Sequence, residues 1–359
     1  MAHNIESLLA RHLPQKPDGY RYSQQRGGIS NESYQIDNVR SETLSPSVVL
    51  TIIRDPSLWW KVQQEYAVRE AIQGDKEVLI PRVFDAGFDD INGEKFAFIL
   101  REHIAGKDLG TVLQSELSSE NRENDIHDLA IDLGYRLGVL HRHQTSIYGL
   151  IGRDMNRSFS TWGAYILHEV DKESELVTRL PVNTQIGVIR VENIIKMLPK
   201  IHKVIGTLES SLFEIDASSI GHGDAHFGNF IANSERNIWR IKGLIDIDEA
   251  VSGDPEIDIA FIENWLHFFP YKDEFYHQSQ AFKSGYIHVR PVSPKYAERR
   301  LIYHVLRSLS YLRTVFSFDT NDFINANPRN QEYVRKHTQV LRSIGEDNAL
   351  EDLGIRSLV

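Results

Sequence analysis

The sequence predicts an α+β protein in two lobes, with a strand-rich N-terminal part over residues 1–103 and a larger, mostly helical part over 104–359. Three observations carry this. At 359 residues the chain exceeds the size at which a single core usually stops growing. The runs Ser47 to Arg54 and Lys95 to Leu100 are rich in Val, Ile and Phe and are bounded by Gly, Pro or Asp, as strands are. Beyond them, Leu129, Leu133, Leu137 and Leu140 recur at steps of four, four and three, the apolar stripe of a helix.

Arg26-Gly27-Gly28-Ile29-Ser30-Asn31 reads as a glycine-containing turn between two strands. It is short enough for backbone N–H groups to approach phosphates, although a Gly-Gly before Ser-Asn also makes an ordinary hairpin. Ser47 to Arg54 follows as a strand buried on both faces, and Asp55-Pro56 ends it. Leu58 to Ile72 is an amphipathic segment that carries Glu65. Lys95 to Gly106 is a core strand that bends at its glycine, and Ser115 to Asp125 is a polar linker. The leucine helix closes on His141-Arg142-His143, bases that suit a helix C-terminus. Phe159 to Glu169, Val191 to Leu208 and Tyr296 to Phe316 read as further helices, with Pro199 expected to kink or divide the second. Arg299, Arg300, Arg307 and Arg313 lie on the last of these, where the simplest reading is a solvated face. Ser317 to Pro328 reads as an irregular loop.

The chemistry concentrates in His222-Gly223-Asp224-Ala225-His226-Phe227-Gly228-Asn229, followed by Leu244-Ile245-Asp246 and Gly253-Asp254-Pro255. An acid, an amide and a second acid in that order suit phosphoryl transfer from a nucleotide. The first acid takes the acceptor's proton, and the other two hold a magnesium ion against the phosphates. Small residues such as Gly223 and Gly228 permit the tight backbone this needs. The run Ile241 to Ile247 reads as a short buried strand delivering Asp246, a carboxylate that is costly there unless a cation neutralises it. Asp and Asn beside Gly are also common turn residues, and His222, Asp224 and His226 could in principle form a hydrolytic metal cluster. No further His ligands at telling spacing support the second reading.

The pattern H-G-D-x-x-x-x-N, then I-D-x-x-x-A-x-x-G-D-P-x-x-D-x-A, resembles that of the aminoglycoside phosphotransferase and choline kinase-like group. The chain meets each fixed position, with His222, Gly223, Asp224, Asn229, Ile245, Asp246, Ala250, Gly253, Asp254, Pro255, Asp258 and Ala260. The resemblance implies a protein-kinase-like fold that binds ATP or GTP between its lobes. Asp224 would be the catalytic acid, Asn229 and Asp246 the ligands of Mg2+, and His222 a loop-bracing residue. Gly27, Gly28, Ser30 and Asn31 would approach the phosphates, and backbone groups near Glu102 to Ile104 would hydrogen-bond the purine. Such a lobe carries a strand Lys that pairs with the phosphates and with a helix Glu. Here the strand has no Lys, so the place falls to Arg54 or, three residues earlier, to Thr51. Arg54 is favoured because Asp55-Pro56 then ends the strand, and Glu65 is its candidate partner.

A net charge of −10 argues against a nucleic-acid partner and mildly favours a cationic acceptor such as an amino sugar or amino alcohol. The absence of Cys excludes disulfides, cysteine zinc ligands and thiol catalysis. Met1 to Pro14 lacks a signal peptide's apolar run and no stretch reaches membrane-spanning length, so no membrane partner and a cytoplasmic location are expected. The acceptor is expected to be a small molecule, met by Asp258, Glu263, Trp265 and Trp162, and the protein to be a monomer or homodimer. A protein-directed kinase or a nucleotide-binding module without turnover are the rival readings.

Overall fold

A computed structural model describes residues 5–14, 20–24, 32–39, 41, 44–72, 74–91, 93–152, 158–317, 330–346 and 349–359. Gly27, Gly28, Ser30 and Asn31, and all of the expected 317–328 loop except Ser317, lie outside them. The architecture is the expected one, an N-terminal antiparallel sheet followed by a helical C-terminal part.

The sheet contains β1 (Arg21–Gln24), β2 (Glu32–Asp37), β3 (Ser47–Ile53), β4 (Val83–Ile91) and β5 (Glu94–Glu102), in the order β1-β2-β3-β5-β4. Strand alternation gives β3 two destinations. Val48, Leu50 and Ile52 pack with Phe96, Phe98 and Leu100 against Leu8, Leu9 and Leu13, which belong to or follow helix α1 (Ile5–His12). Ile53 packs on the other face with Ala97 and Ile99, against Val62 and Trp59 of helix α2 (Trp59–Ala71).

Past the sheet, β6 (Lys107–Asp108) leads into helix α3 (Arg122–His141), so the expected 115–125 linker is shorter than its polarity suggested. After β7 (Gly149–Leu150) come α4 (Trp162–Thr178) and α5 (Val191–Leu208). Pro199 sits inside α5 without dividing it. A small sheet orders β8 (Ser219–Gly221), β11 (Val251–Gly253) and β7, while β9 (Phe230–Glu235) pairs with β10 (Ile238–Leu244) and β6. Helices α6 (Ile257–Leu266), α7 (Lys272–His277), α8 (Ser279–Ile287), α9 (Tyr296–Ser317) and α10 (Asn330–Ser343) complete the helical part. No helix among the described residues is long and apolar enough to cross a membrane.

The arginines of α9 correct the sequence reading. Arg299 and Arg300 are buried rather than solvated. Arg299 bridges Asp254 (2.6 Å) and Glu256 (2.7 Å), while Arg300 binds Glu263 (2.5 Å) and Glu351 (2.6 Å). Arg313 bonds both oxygens of Glu173. A helix this rich in arginine looks exposed in sequence because its partners are distant in the chain. In the fold, the Gly253-Asp254-Pro255 segment supplies one of them. Asp254 also accepts from the Tyr303 hydroxyl at 2.6 Å, and Tyr303 accepts from the Trp162 indole at 2.8 Å. Trp162 is therefore a core residue, and a Cβ on Gly253 would run into its ring.

Four buried histidines, His141, His267, His304 and His337, give the fold a pH dependence. Burial depresses all four, and beside the Lys336 and Lys272 ammonium groups it takes His267 down to about 3. Unfolding lets such a group bind a proton that the folded state refuses, so stability is complete above about pH 6.5 and falls as pH drops toward 3. His267 alone should remove about 2 kcal/mol by pH 5. Thermal melts should thus show Tm falling between pH 7 and 5, with a shallower slope in His267→Leu. A flat profile would contradict this account.

Candidate active site

The loop expected to be catalytic leaves β8 at Gly221 and enters a single turn of tight helix at Phe227–Asn229 before β9. Gly223 has φ 80°, and a Cβ there would collide with the Glu249 carbonyl oxygen, so the position requires glycine. His222 and Gly223 donate their backbone N–H groups to the two Asp258 carboxylate oxygens at 2.6 and 2.9 Å. The His141 ring lies 2.9 Å from the same carboxylate and is itself 2.9 Å from the Tyr286 hydroxyl. Asp258, fully buried in the first turn of α6, is the anchor of the loop. It is no acceptor ligand.

His222 ties this loop to the next one. Its Nε2–H donates to the Ile245 carbonyl at 2.9 Å, and its Nδ1 faces the Asp224 N–H at 3.4 Å. With both nitrogens so used, His222 is not available to a metal cluster, and no group of three or more potential His or carboxylate ligands occurs among the described residues. Asn229 donates from Nδ2 to the Asp224 carbonyl at 2.9 Å and lies 3.4 Å from its Oδ2. The Ile245 N–H in turn donates to the Asn229 carbonyl at 2.9 Å. These bonds hold Asp224, Asn229 and the residue before Asp246 on adjoining segments.

The expected strand stops at Leu244, earlier than the apolar run suggested. Asp246 follows it in the left-handed region with φ 59°, a conformation that Asp tolerates better than most side chains. Its carboxylate is exposed and makes no hydrogen bond or close ion pair among the described residues, though it lies in the field of Lys61. Asp248 is instead paired with Lys61 of α2 at 2.9 Å, and the same ammonium lies 3.5 Å from Glu249. Lys61 stands one helical turn before Glu65, a spacing that could have marked it in sequence.

Arg54 and Glu65 do not meet. Arg54 shares the parity of Ile52, on the face opposite α2; it pairs with Glu32 and its side chain is 53 % exposed. Glu65 is buried and lies 3.3 Å from both Arg101 and Arg69. Arg101 sits on β5 opposite Val49, on the face that carries Ile99 toward α2. Thr51, the alternative, bonds Ser33 at 3.0 Å. At the expected hinge, Glu102 and His103 donate their N–H groups to Arg82 and Ser47. The Ile104 side chain packs on Gly243, which ties this stretch to the β9–β10 hairpin.

Glu263, also expected at the acceptor, is fully buried between Arg300 and His304 and accepts from the Leu358 N–H at 2.8 Å. Trp265 is only partly buried and stays near the loop. It stacks on His226 at 5.7 Å with planes 8° apart, and on Phe269 at 3.8 Å. The residue that sequence reasoning missed is Arg307, whose Nη2 lies 2.5 Å from Asp224 Oδ1. Burial pushes the Asp224 carboxyl up, but the Arg307 guanidinium and the His226 ring outweigh it and hold the group well below the usual carboxylate range.

Known proteins share the fold that surrounds this loop's segments. The sequence pattern described as "phosphotransferase enzyme family" matches residues 21–292. No curated protein matches the chain. Among solved structures, a thermostable mutant of the aminoglycoside phosphotransferase APH(4)-Ia, in ternary complex with ADP and hygromycin B, superposes with a TM-score of 0.63 at 16 % identity, over 95 % of this chain and 99 % of that one. A microcompartment-associated aminopropanol kinase gives 0.55 at 14 % identity, over 99 % of each chain. The spectinomycin phosphotransferase APH(9)-Ia, in complex with ADP and spectinomycin, gives 0.53 at 16 % identity, over 98 % and 96 %. With the family pattern spanning most of its length, the chain belongs to the phosphotransferase enzyme family.

Proposed function

We propose that this phosphotransferase moves the γ-phosphate of ATP or GTP to a hydroxyl of a small molecule, with magnesium as cofactor. The observation that carries the reading is the bonding of the Asp224, Asn229 and Asp246 segments to one another through His222 and Ile245. ADP in two of the similar structures supports a nucleotide donor.

Asn229 and Asp246 fit magnesium. With Nδ2 of Asn229 spent on the Asp224 carbonyl, its amide oxygen is left for a ligand, and the exposed Asp246 carboxylate supplies a second hard oxygen. Magnesium keeps several waters and takes its remaining ligands from phosphates, so two protein oxygens suffice. When bound, it would neutralise charge on the transferred phosphoryl group. Asp224 orients the acceptor hydroxyl and takes its proton as the acceptor oxygen joins the γ-phosphorus. The bond to the β–γ bridging oxygen breaks at the same time, and its electron pair leaves with the nucleoside diphosphate. Positioning supplies much of the rate, which is why the loop is bonded so densely to buried groups. Lys61 holds Asp248 beside the Asp246 turn and so links α2 to the metal segment.

Titration calorimetry with a non-hydrolysable ATP analogue, with and without magnesium, tests the metal assignment. Asp246→Ala should weaken binding of the magnesium complex by about 30-fold while leaving metal-free binding nearly unchanged. Equal affinities with magnesium would remove Asp246 from the site.

A further inference from the structure

We propose that Arg307 selects the acceptor, receiving a carboxylate or phosphate group carried by that molecule and so bringing its hydroxyl to Asp224. The inference rests on the kinase reading above and names the acceptor class of the same site.

Arg307 projects from α9, an element remote in sequence from the catalytic loop, and its guanidinium meets the one side chain that must receive the acceptor. Only Nη2 is used, on Asp224 Oδ1 at 2.5 Å. A guanidinium has five N–H donors in a planar fork, and the remaining ones have no partner among the described residues. The plane is held over the Phe261 ring, 5.1 Å from its centre. The two side chains are 24 % and 22 % exposed, so the pair is reachable from solvent. An arginine needed only to brace Asp224 could be buried, as Arg299 and Arg300 are against their own carboxylates. This one keeps a bidentate-capable edge uncommitted beside the reacting group.

The surrounding charges point the same way. An acceptor bearing ammonium groups needs free carboxylates, yet the two acids expected to supply them, Asp258 and Glu263, are fully buried and bound internally. Glu173 is taken at both oxygens by Arg313, Glu249 is half exposed but lies 3.5 Å from Lys61, and the exposed Asp246 is assigned to the metal. An ammonium group approaching Asp224 would meet the Arg307 cation at close range, whereas an anion would complete its fork. The proton balance is that of the kinase step. The acceptor hydroxyl gives its proton to the Asp224 carboxylate, and Arg307 takes no part in that transfer.

The test uses the full chain with labelled ATP, magnesium and two matched acceptor series: gluconate, glucose and glucosamine; and glycerate, glycerol and serinol. Each is measured with the wild type, Arg307→Ala, Arg307→Lys and, as the kinase control, Asp224→Ala. The wild type should favour the carboxylate member of a series by about 100-fold in kcat/KM. Arg307→Ala should lose about 100-fold on that member, chiefly through KM, and erase the ordering; Arg307→Lys should restore part of it. If the amino members are preferred, or Arg307→Ala lowers kcat equally for every acceptor, the selecting role is overturned while Asp224-dependent transfer still supports the kinase. If the wild type phosphorylates no member of either series, both readings fall together.

Discussion

Asp224→Asn is expected to reduce turnover by about 1,000-fold or more while changing the affinity for the magnesium nucleotide less than about threefold. The substitution keeps the shape of the side chain beside Asn229 and Arg307, and removes its charge and with it the capacity to take a proton. In the proposed reaction Asp224 serves the acceptor rather than the nucleotide, so the nucleotide should scarcely register its loss. The Asp224–Arg307 pair is partly exposed, so the variant should also lie within about 1 kcal/mol of the wild type in stability. A depressed pKa adds a second expectation. Because Arg307 and His226 overcome the effect of burial, Asp224 stays ionised through the mildly acidic range. A rate profile should then show no loss of activity attributable to this group above about pH 4. Retention of most of the turnover in Asp224→Asn, with bound nucleotide intact, would remove Asp224 from the catalytic role.

The motif block was legible in sequence because its spacing obeys local constraints. Gly223 must sit at positive φ, Asn229 must fold back one turn onto Asp224, and both requirements are met within eight residues. The sheet and most helices were legible for the same reason, since alternation and helical stripes are local signals. What failed depended on contacts across long separations. Asp258 and Glu263 are acids near the motif, and nothing in their neighbourhood reveals that His141, 117 positions away, or Arg300 would claim them. Arg54 was placed by where the strand ends, whereas its facing is fixed by parity and by which side of the sheet α2 covers. Arg307 was hidden in an arginine-rich helix. Its special position follows only from α9 crossing the catalytic loop, 83 residues from Asp224 in sequence.

Asp258→Ala is expected to cost about 3–5 kcal/mol of stability and to take most of the activity with it. The carboxylate receives two backbone N–H groups and the His141 ring in a fully buried place. Its removal leaves each of them without this acceptor. The catalytic consequence follows from geometry, because those N–H groups belong to His222 and Gly223, the residues immediately before Asp224. Asp258→Asn offers a milder version of the same experiment. Its amide can accept from one N–H but must oppose a donor to the other, so it should retain the fold at room temperature while misplacing the loop. Urea unfolding of the two variants, set beside their turnover, separates this anchor from a substrate contact. A ligand of the acceptor would raise KM and leave unfolding unchanged, whereas the anchor should shift the unfolding midpoint and lower kcat for every acceptor alike. Wild-type stability in Asp258→Ala would mean that the loop holds its shape without Asp258.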